Sequence, residues 1–504
     1  MVPEPDINLV PSNPAAKPDG GALPTEKHAR TRRRVLCFLL LLAGLVSACL
    51  LPPFESPDEM NHLVRAFQLS QGQLVGVARG KRVGSILPKS ILDDSKIFRA
   101  ISFRGGQRTI GEWYEQMKSS HAWTTEELTT NRDFKKCQFV SYPPVPHLPQ
   151  TCAALLGRIF ELRTGSVLYL GRLLNVLVAC GLIYLALRHV QSDPRLEMLL
   201  FLVAAMPMSA FLFGSLNADA VTIGLALLAF AMAMTASADW SRRQFAGFLL
   251  VCALLALSKS VYLLLPAIAL PQFRRSGMPW RGVAWRSGLL ATVAIIPLGV
   301  WLLLVRHLSN TPSPMGDKAQ TDMSQQVQFL LHHPLMVLGS FWEYGIQHFS
   351  NMVLWFVGCI GCGEKTISPT LAWSYLSVLL ASGVVGIAGR DRIWRPMQQC
   401  VTLAVAWASV LLIFLAAYLA FGTRQIAAIQ GRYFIPIAPL FLASLPVLFR
   451  ISDRGFRVWR TVLVCFWVLA MTWASCSVAE RYWSLQSSKA EPQSTTGPSV
   501  EVAR

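Results

Sequence analysis

The chain has 504 residues, of which 53% are hydrophobic and only 15% charged, with a mean hydropathy of +0.42 and a formal net charge of +18. A soluble globular domain carries about 25% charged residues, so this composition excludes one and points to a polytopic membrane protein. A strongly basic soluble chain would suggest nucleic acid, but here the Lys and Arg residues gather beside apolar runs, so nucleic acid is not an expected partner.

Residues 1–34 are rich in Pro, Ala and charge without periodicity, and read as a disordered cytoplasmic arm. Apolar runs follow at about 35–54, 167–189, 196–214, 217–236, 285–306, 370–389, 397–421, 431–449 and 459–478. Each is close to the roughly 20 residues that span a hydrocarbon core of about 30 Å. The stretch 244–271 is too long for one span and is broken at Ser258-Lys259-Ser260, so it reads as two short segments meeting at Lys259. The expected fold is therefore an all-α polytopic transmembrane bundle over 35–478, with about eleven spans.

With eleven spans the basic clusters (Lys27 to Arg34, Arg188 with Arg195, Arg242 with Arg243, Arg274 to Arg286, Arg390 to Arg395, Arg450 to Arg460) all fall on one side. Positive loops stay cytoplasmic. This predicts a multi-pass membrane protein with its N-terminus inside and a long first outer loop, 55–166, carrying short helices; the resemblance given below implies that the membrane is a bacterial inner membrane and the outer side the periplasm. A second large periplasmic loop covers 307–369, with an amphipathic helix around 328–349, and the tail 479–504 is disordered and periplasmic. The apolar piece 150–162 is expected to lie on the surface or re-enter, since a crossing there would invert every later loop. Val46-Ser47-Ala48-Cys49 resembles a lipoprotein processing site, but small residues are common in packed membrane helices. The Cys359/Cys362 pair lacks the second pair of a four-ligand zinc site.

The chemistry concentrates in Phe54-Glu-Ser-Pro-Asp-Glu-Met-Asn-His-Leu-Val-Arg65, directly after the first span. Ser56 is the expected N-cap of a helix, with Pro57 first inside it, Glu59 closing a capping box and Gly72 ending it. A cap alone does not need His62 and Arg65. Positions 58, 62 and 65 share one helical face, so Asp58 can act as general base while Arg65 pairs with a phosphate. Asp219 opens a later span at the same side; rim carboxylates are costly and usually functional, although Asn217 can make it a simple helix-start charge. Arg172 and Asn175 lie one turn apart within a span, and a buried Arg requires an anionic partner: Asp58, Asp219 or a ligand phosphate. Lys259 sits where two half-spans meet, as in broken helices that line cavities, with snorkelling as the bland reading. Arg432 opens a span from the outside, against the inside bias of positive charge. Glu364, His147 and Tyr142 are weaker candidates. Nothing comparable is expected on the cytoplasmic face.

These blocks, Pro52-Pro-Phe-Glu-Ser-Pro-Asp-Glu-Met-Asn-His-Leu with Arg65-Ala-Phe-Gln, Tyr142-Pro-Pro, Gly171-Arg-Leu-Leu-Asn175, Ser215-Leu-Asn-Ala-Asp219-Ala, Ser258-Lys259 and Gln430-Gly-Arg-Tyr-Phe-Ile-Pro436, resemble a bacterial family of polytopic membrane proteins known as a domain of unknown function. That family is similar to the GT-C glycosyltransferases, which move a sugar from a polyprenyl-phosphate carrier. The resemblance implies that Asp58 and Glu59 form the acidic pair of the first outer loop, that Asp219 is the second acidic site and that Glu364 corresponds to a later loop acid. Partners would be a polyprenyl-phosphate-linked sugar, a glycan or lipid acceptor and membrane lipid. No organic cofactor is expected, and a divalent metal between carboxylate and phosphate stays open. A transporter or flippase of a lipid-linked glycan is the alternative, and a structural or assembly role a third.

Overall fold

The computed structural model describes residues 26–80, 82–100, 107–308, 323–360, 365–389, 396–421 and 429–484. The chain is mostly helical. Five helices are long and apolar enough to cross a membrane: Lys27–Leu50, Thr164–His189, Trp280–Leu308, Pro396–Leu419 and Asp453–Tyr482. A sixth span is available if the pair Pro194–Ala204 and Pro207–Phe213, bent by 63°, counts as one. The expected eleven are not reached by length, because several apolar runs are shortened by prolines or 3-10 turns. Asp219–Met234 and Pro369–Val384 are shorter apolar helices. The stretch after Lys259 is broken into the 3-10 turns Ser260–Tyr262 and Leu265–Ile268 and the helix Ala269–Arg275.

Asp219–Met234 is the axis of the bundle. All its residues are buried, and it packs against Thr164–His189, Arg242–Ser258, Leu265–Ile268 and Gly431–Ile437. A helix apolar on every side must be enclosed. Its N-terminus carries Asp219, so burying this helix brings that carboxylate beside the end of Arg242–Ser258, where Lys259 follows, and beside the turn holding Arg432.

The loop after the first span is not purely helical. Strands Val77–Arg79, Arg82–Pro88 and Arg132–Lys136 form an antiparallel sheet in that order, with Gly84 opposite both Val77 and Lys136. Val83 and Leu87 of the middle strand join Leu63, Val64 and Phe67 of the helix Glu59–Ser70 in a second hydrophobic core. The strands were not anticipated, because three to seven residues of mixed charge give little periodic signal. The helix Leu148–Ile159 is followed at once by Thr164–His189 and packs on it. The expected amphipathic helix at 328–349 is instead two, Met323–His332 and Pro334–Gln347, split at Pro334.

The far end of the bundle also departs from expectation. The first helix begins at Glu26, inside the predicted arm. There Arg32 pairs with Glu197, and Arg33 donates to the Gln191 side chain. Buried charge therefore exists at both ends, separated by roughly 28 Å along the first helix at 1.5 Å per residue.

At the near end the first helix meets the bent pair at Gly214. A Cβ there would lie 2.6 Å from Ala48 N and 2.7 Å from Gly44 O. Gly214→Leu should force the two apart and cost about 1–3 kcal/mol or more through overpacking. Gly247, with nothing within 4 Å of its would-be Cβ, should accept alanine without loss. Thermal unfolding of the purified protein reads both, and equal melting temperatures would contradict this contact.

Candidate functional site

The two neighbouring acids of the motif go different ways. Glu59 turns inward, its side chain 0% exposed, whereas the Asp58 side chain is 42% exposed. Glu59 Oε1 accepts from Arg172 Nε at 2.8 Å and from Leu216 N at 2.9 Å. Its Oε2 accepts from Arg172 Nη2 at 2.8 Å and from Phe54 N at 2.8 Å. Arg172 spends its remaining donors on the carbonyls of Ala48, Leu51 and Pro52. A buried ion pair is tolerable only when its lone pairs and protons are satisfied in this way. Glu59 and Arg172 thus tie the end of the first helix, the motif turn, the second long helix and the turn before Asp219 into one knot. This corrects the expectation that Glu59 closes a capping box and that Arg172 receives a ligand phosphate: each consumes the other.

The knot also explains the conformation of the turn. The helix begins at Glu59, not at Pro57, and Ser56 is not its N-cap. Phe54 and Asp58 both have left-handed backbones, φ 64° and 62°. Such conformations cost non-glycine residues of order 1–3 kcal/mol and persist where the surroundings impose them. Asp58 occupies the N-cap position but makes no side-chain cap bond, so its carboxylate stays available to its surroundings.

Two cations and a second carboxylate are linked to Asp58 at this end. Arg432 Nη2 lies 3.6 Å from Asp58 Oδ2, and its Nε 3.5 Å from Asp219 Oδ2. Lys259 Nζ donates to Asp219 Oδ1 at 2.6 Å and stands 4.2 Å from the Tyr433 ring centre. Arg432 is buried, and its Nε and Nη1 have no hydrogen-bond acceptor among the described residues. Its position depends on Gly431, where a Cβ would lie 2.0 Å from Met352 O and 2.4 Å from Phe356 N. Only glycine lets this turn press onto the helix Phe349–Val357. Asn175 does not face this network. Its Nδ2 donates to Ser215 O at 2.7 Å and Asn217 O at 3.1 Å, while its Oδ1 accepts from Gln150 at 2.9 Å. Asn217 Oδ1 in turn accepts from Asp219 N at 2.8 Å. Asn175 is a positioning residue for the turn that presents Asp219.

His62 and Arg65 leave the face they were expected to share with Asp58. Arg65 is fully buried and donates to Gln68, Leu74 O and Tyr142 O, so it braces the loop and is not open to a phosphate. His62 Nδ1 lies 3.1 Å from His147 Nε2, and its ring packs on Phe139. Burial first, then the nearby Arg432 and Lys259 charges, hold His62 down to about 3. Burial and the facing His62 hold His147 well below the usual imidazole range. His147, Gln150, Tyr433 and Gln430 carry more of the arrangement than the sequence suggested. Of these, His147 was expected only as a weaker candidate, Gln430 and Tyr433 stood within the Gln-Gly-Arg-Tyr block, and Gln150 was not singled out. Glu364 and Cys362 lie outside the described residues.

Two cavities flank the network. A polar one of about 320 Å³ is lined by Phe54, Ser56, Asp58, Asn61, Lys135, Lys136 and Gln430, among others. An apolar one of about 820 Å³ runs between the helices Pro334–Gln347, Phe349–Val357, Pro369–Val384 and Pro396–Phe421, and includes Phe434. Gln430 and Phe434, at the two ends of one short turn, touch the two cavities, and Arg432 lies between them. Among the described residues no three His, Cys, Asp or Glu side chains gather to hold a metal ion. The Arg432 guanidinium stands between the Asp58 and Asp219 carboxylates.

The chain belongs to the family described as "Predicted membrane protein (DUF2142)", whose model matches residues 40–441. No curated protein and no solved structure matches it.

Two predictions follow from this geometry. Glu59→Ala should strand Arg172 uncompensated and cost about 3–5 kcal/mol, read as lost yield of folded protein, while Asp58→Asn should fold normally. The histidine pair predicts a pH dependence. An ordinary imidazole titrates near 6.5, and here both are held lower. Below about pH 6.5 the unfolded chain takes up protons that the folded protein refuses until about pH 3. Stability present above pH 6.5 should therefore fall with pH, by up to about 1.4 kcal/mol per unit per histidine. The melting temperature of the His62→Gln/His147→Gln variant should decline less steeply between pH 7 and 4; an unchanged slope would refute the assignment.

Proposed function

We propose that the chain is a membrane glycosyltransferase that moves a sugar from a polyprenyl-phosphate carrier to a cell-envelope glycan or lipid-linked acceptor, with Asp58 as general base. The observation that carries this reading is the position of Arg432. Its buried guanidinium, whose Nη1 has no hydrogen-bond partner among the described residues, stands 3.6 Å from the half-exposed Asp58 carboxylate. It also lies on the turn whose two ends, Gln430 and Phe434, line a polar cavity and an apolar one. A phosphate on an isoprenoid chain has those two requirements: donors for its oxygens and an apolar channel for its tail.

In this reaction the acceptor hydroxyl gives its proton to Asp58. The oxygen lone pair forms the new bond to the sugar anomeric carbon. The bond from that carbon to the phosphate oxygen breaks, and its electron pair leaves with the lipid phosphate, whose charge Arg432 and Lys259 meet. Attack opposite the leaving group inverts the anomeric centre. Asp219 holds both cations in place, as its contacts at 2.6 and 3.5 Å suggest. No organic cofactor takes part.

The same reading places the site on the periplasmic side of the bacterial inner membrane, with a cytoplasmic N-terminus and eleven passes. Contacts at the two ends support the shorter crossings. The bent pair starts beside the first helix's Arg32, through Glu197, and ends beside Ala48, at Gly214. The segment from Arg432 runs back to Leu445, whose carbonyl accepts from Arg195 at the far end. The last helix returns to the near end, where Trp483 Nε1 donates to Leu50 O.

Asp58→Asn decides the matter. Loss of a general base should lower transfer about 10²–10⁴-fold, measured with defined polyprenyl-phosphate sugars and by comparing surface glycans of deletion and complemented strains. Arg432→Gln should weaken donor use more than Arg432→Lys. Full glycan in a strain carrying only the Asp58→Asn protein would refute the enzyme.

A further inference from the structure

The polar cavity at Asp58 has one wall that the reaction above does not use. That wall is the strand Arg132–Lys136, which supplies Lys135 and Lys136. The strand is pinned closely: a Cβ on Gly84 of the neighbouring strand would lie 2.0 Å from Lys135 O. Beyond it, Cys137 Sγ reaches Asn61 O at 3.6 Å. Both lysines line the cavity, and Lys135 is half-buried there. Lys136 is exposed. Among the described residues neither lysine has an ion-pair partner. The other polar wall is Gln430, whose Oε1 is buried with no donor among the described residues, and Asn61. The Glu59 charge is already balanced by Arg172 and Asp58 stands beside Arg432, so the acids of this cavity have cations of their own and, among the described residues, the two lysines are left without an anionic partner.

We infer that this cavity is the acceptor subsite and that the acceptor carries an anionic group, a carboxylate or phosphate, held by Lys135 and Lys136 while its hydroxyl faces Asp58. The assignment rests on the transferase reading for the word acceptor, but anion recognition can be tested without it. Gln430 Oε1 receives a hydroxyl of the same ligand. The lipid-phosphate donor and the acceptor then approach Asp58 from opposite sides of Arg432, which keeps two anions apart by placing a cation between them.

The test uses the full-length protein in nanodiscs of uncharged phosphatidylcholine, titrated with glucose, glucuronate and glucose 6-phosphate by saturation-transfer NMR. At least one anionic probe should bind roughly tenfold more tightly than glucose, the scale for one or two half-exposed charges. Raising salt should shrink that preference. Which anion gains more names the source, uronic-type carboxylate or phosphate. Lys135→Gln/Lys136→Gln should abolish the preference, and Lys135→Arg/Lys136→Arg, with equal melting temperature as the folding control, should keep it. Asp58→Asn should keep or strengthen anion binding. Equal binding of charged and neutral probes, no binding of either anion, or a preference that survives the glutamine variant would overturn the inference. If anion binding follows the lysines but Asp58→Asn leaves surface glycans intact, the subsite stands and the transferase reading falls.

Discussion

The buried Glu59–Arg172 pair is the contact on which the arrangement of this end of the molecule depends. Four donors converge on one carboxylate, and five guanidinium protons find acceptors on two separate stretches of chain. In a low-dielectric interior a partly satisfied version would be worse than an apolar core. Completeness is what makes it tolerable. It anchors residues that come from the first helix, the motif turn, the second long helix and the turn at Leu216, so four segments take their relative positions from a single carboxylate.

That anchoring separates the roles of adjacent acids. Glu59 spends its whole capacity on structure, which fixes the backbone one residue earlier in a left-handed conformation and turns Asp58 outward. Asp58 then meets Arg432, whose turn is pressed onto a neighbouring helix because Gly431 has no side chain. The strain at Phe54 and Asp58 and the bare backbone at 431 are two halves of one device, which holds a carboxylate and a guanidinium close while leaving both with unused capacity.

The same turn, Gln430 to Phe434, divides polar from apolar space. Gln430 faces a cavity of about 320 Å³ with lysines and amides, and Phe434 faces one of about 820 Å³ lined by aromatic and aliphatic side chains. A substrate with a charged head and a greasy tail would find both at one place. The membrane bundle supplies the cations, and the small sheet of the first loop supplies the opposite wall. Neither half forms the site alone.

Much of this was legible in residue types. Composition and apolar runs determined a multi-pass helical protein. The charged residues that stand out against that background, Asp58, Asp219, Lys259 and Arg432, are the ones the fold brings together, because a charge among apolar residues has few tolerable uses. Spacing misled where partners were distant in the chain. Helical periodicity grouped His62 and Arg65 with Asp58, but His147 and Tyr142, some eighty residues on, draw them away. Arg172 gave no hint that Glu59, 113 residues earlier, was its partner. The strands of the first loop, the split at Pro334 and the buried pair at the far end were likewise hidden. Local sequence records which groups must be satisfied, whereas which partner satisfies each is a long-range pairing that only the packed chain decides.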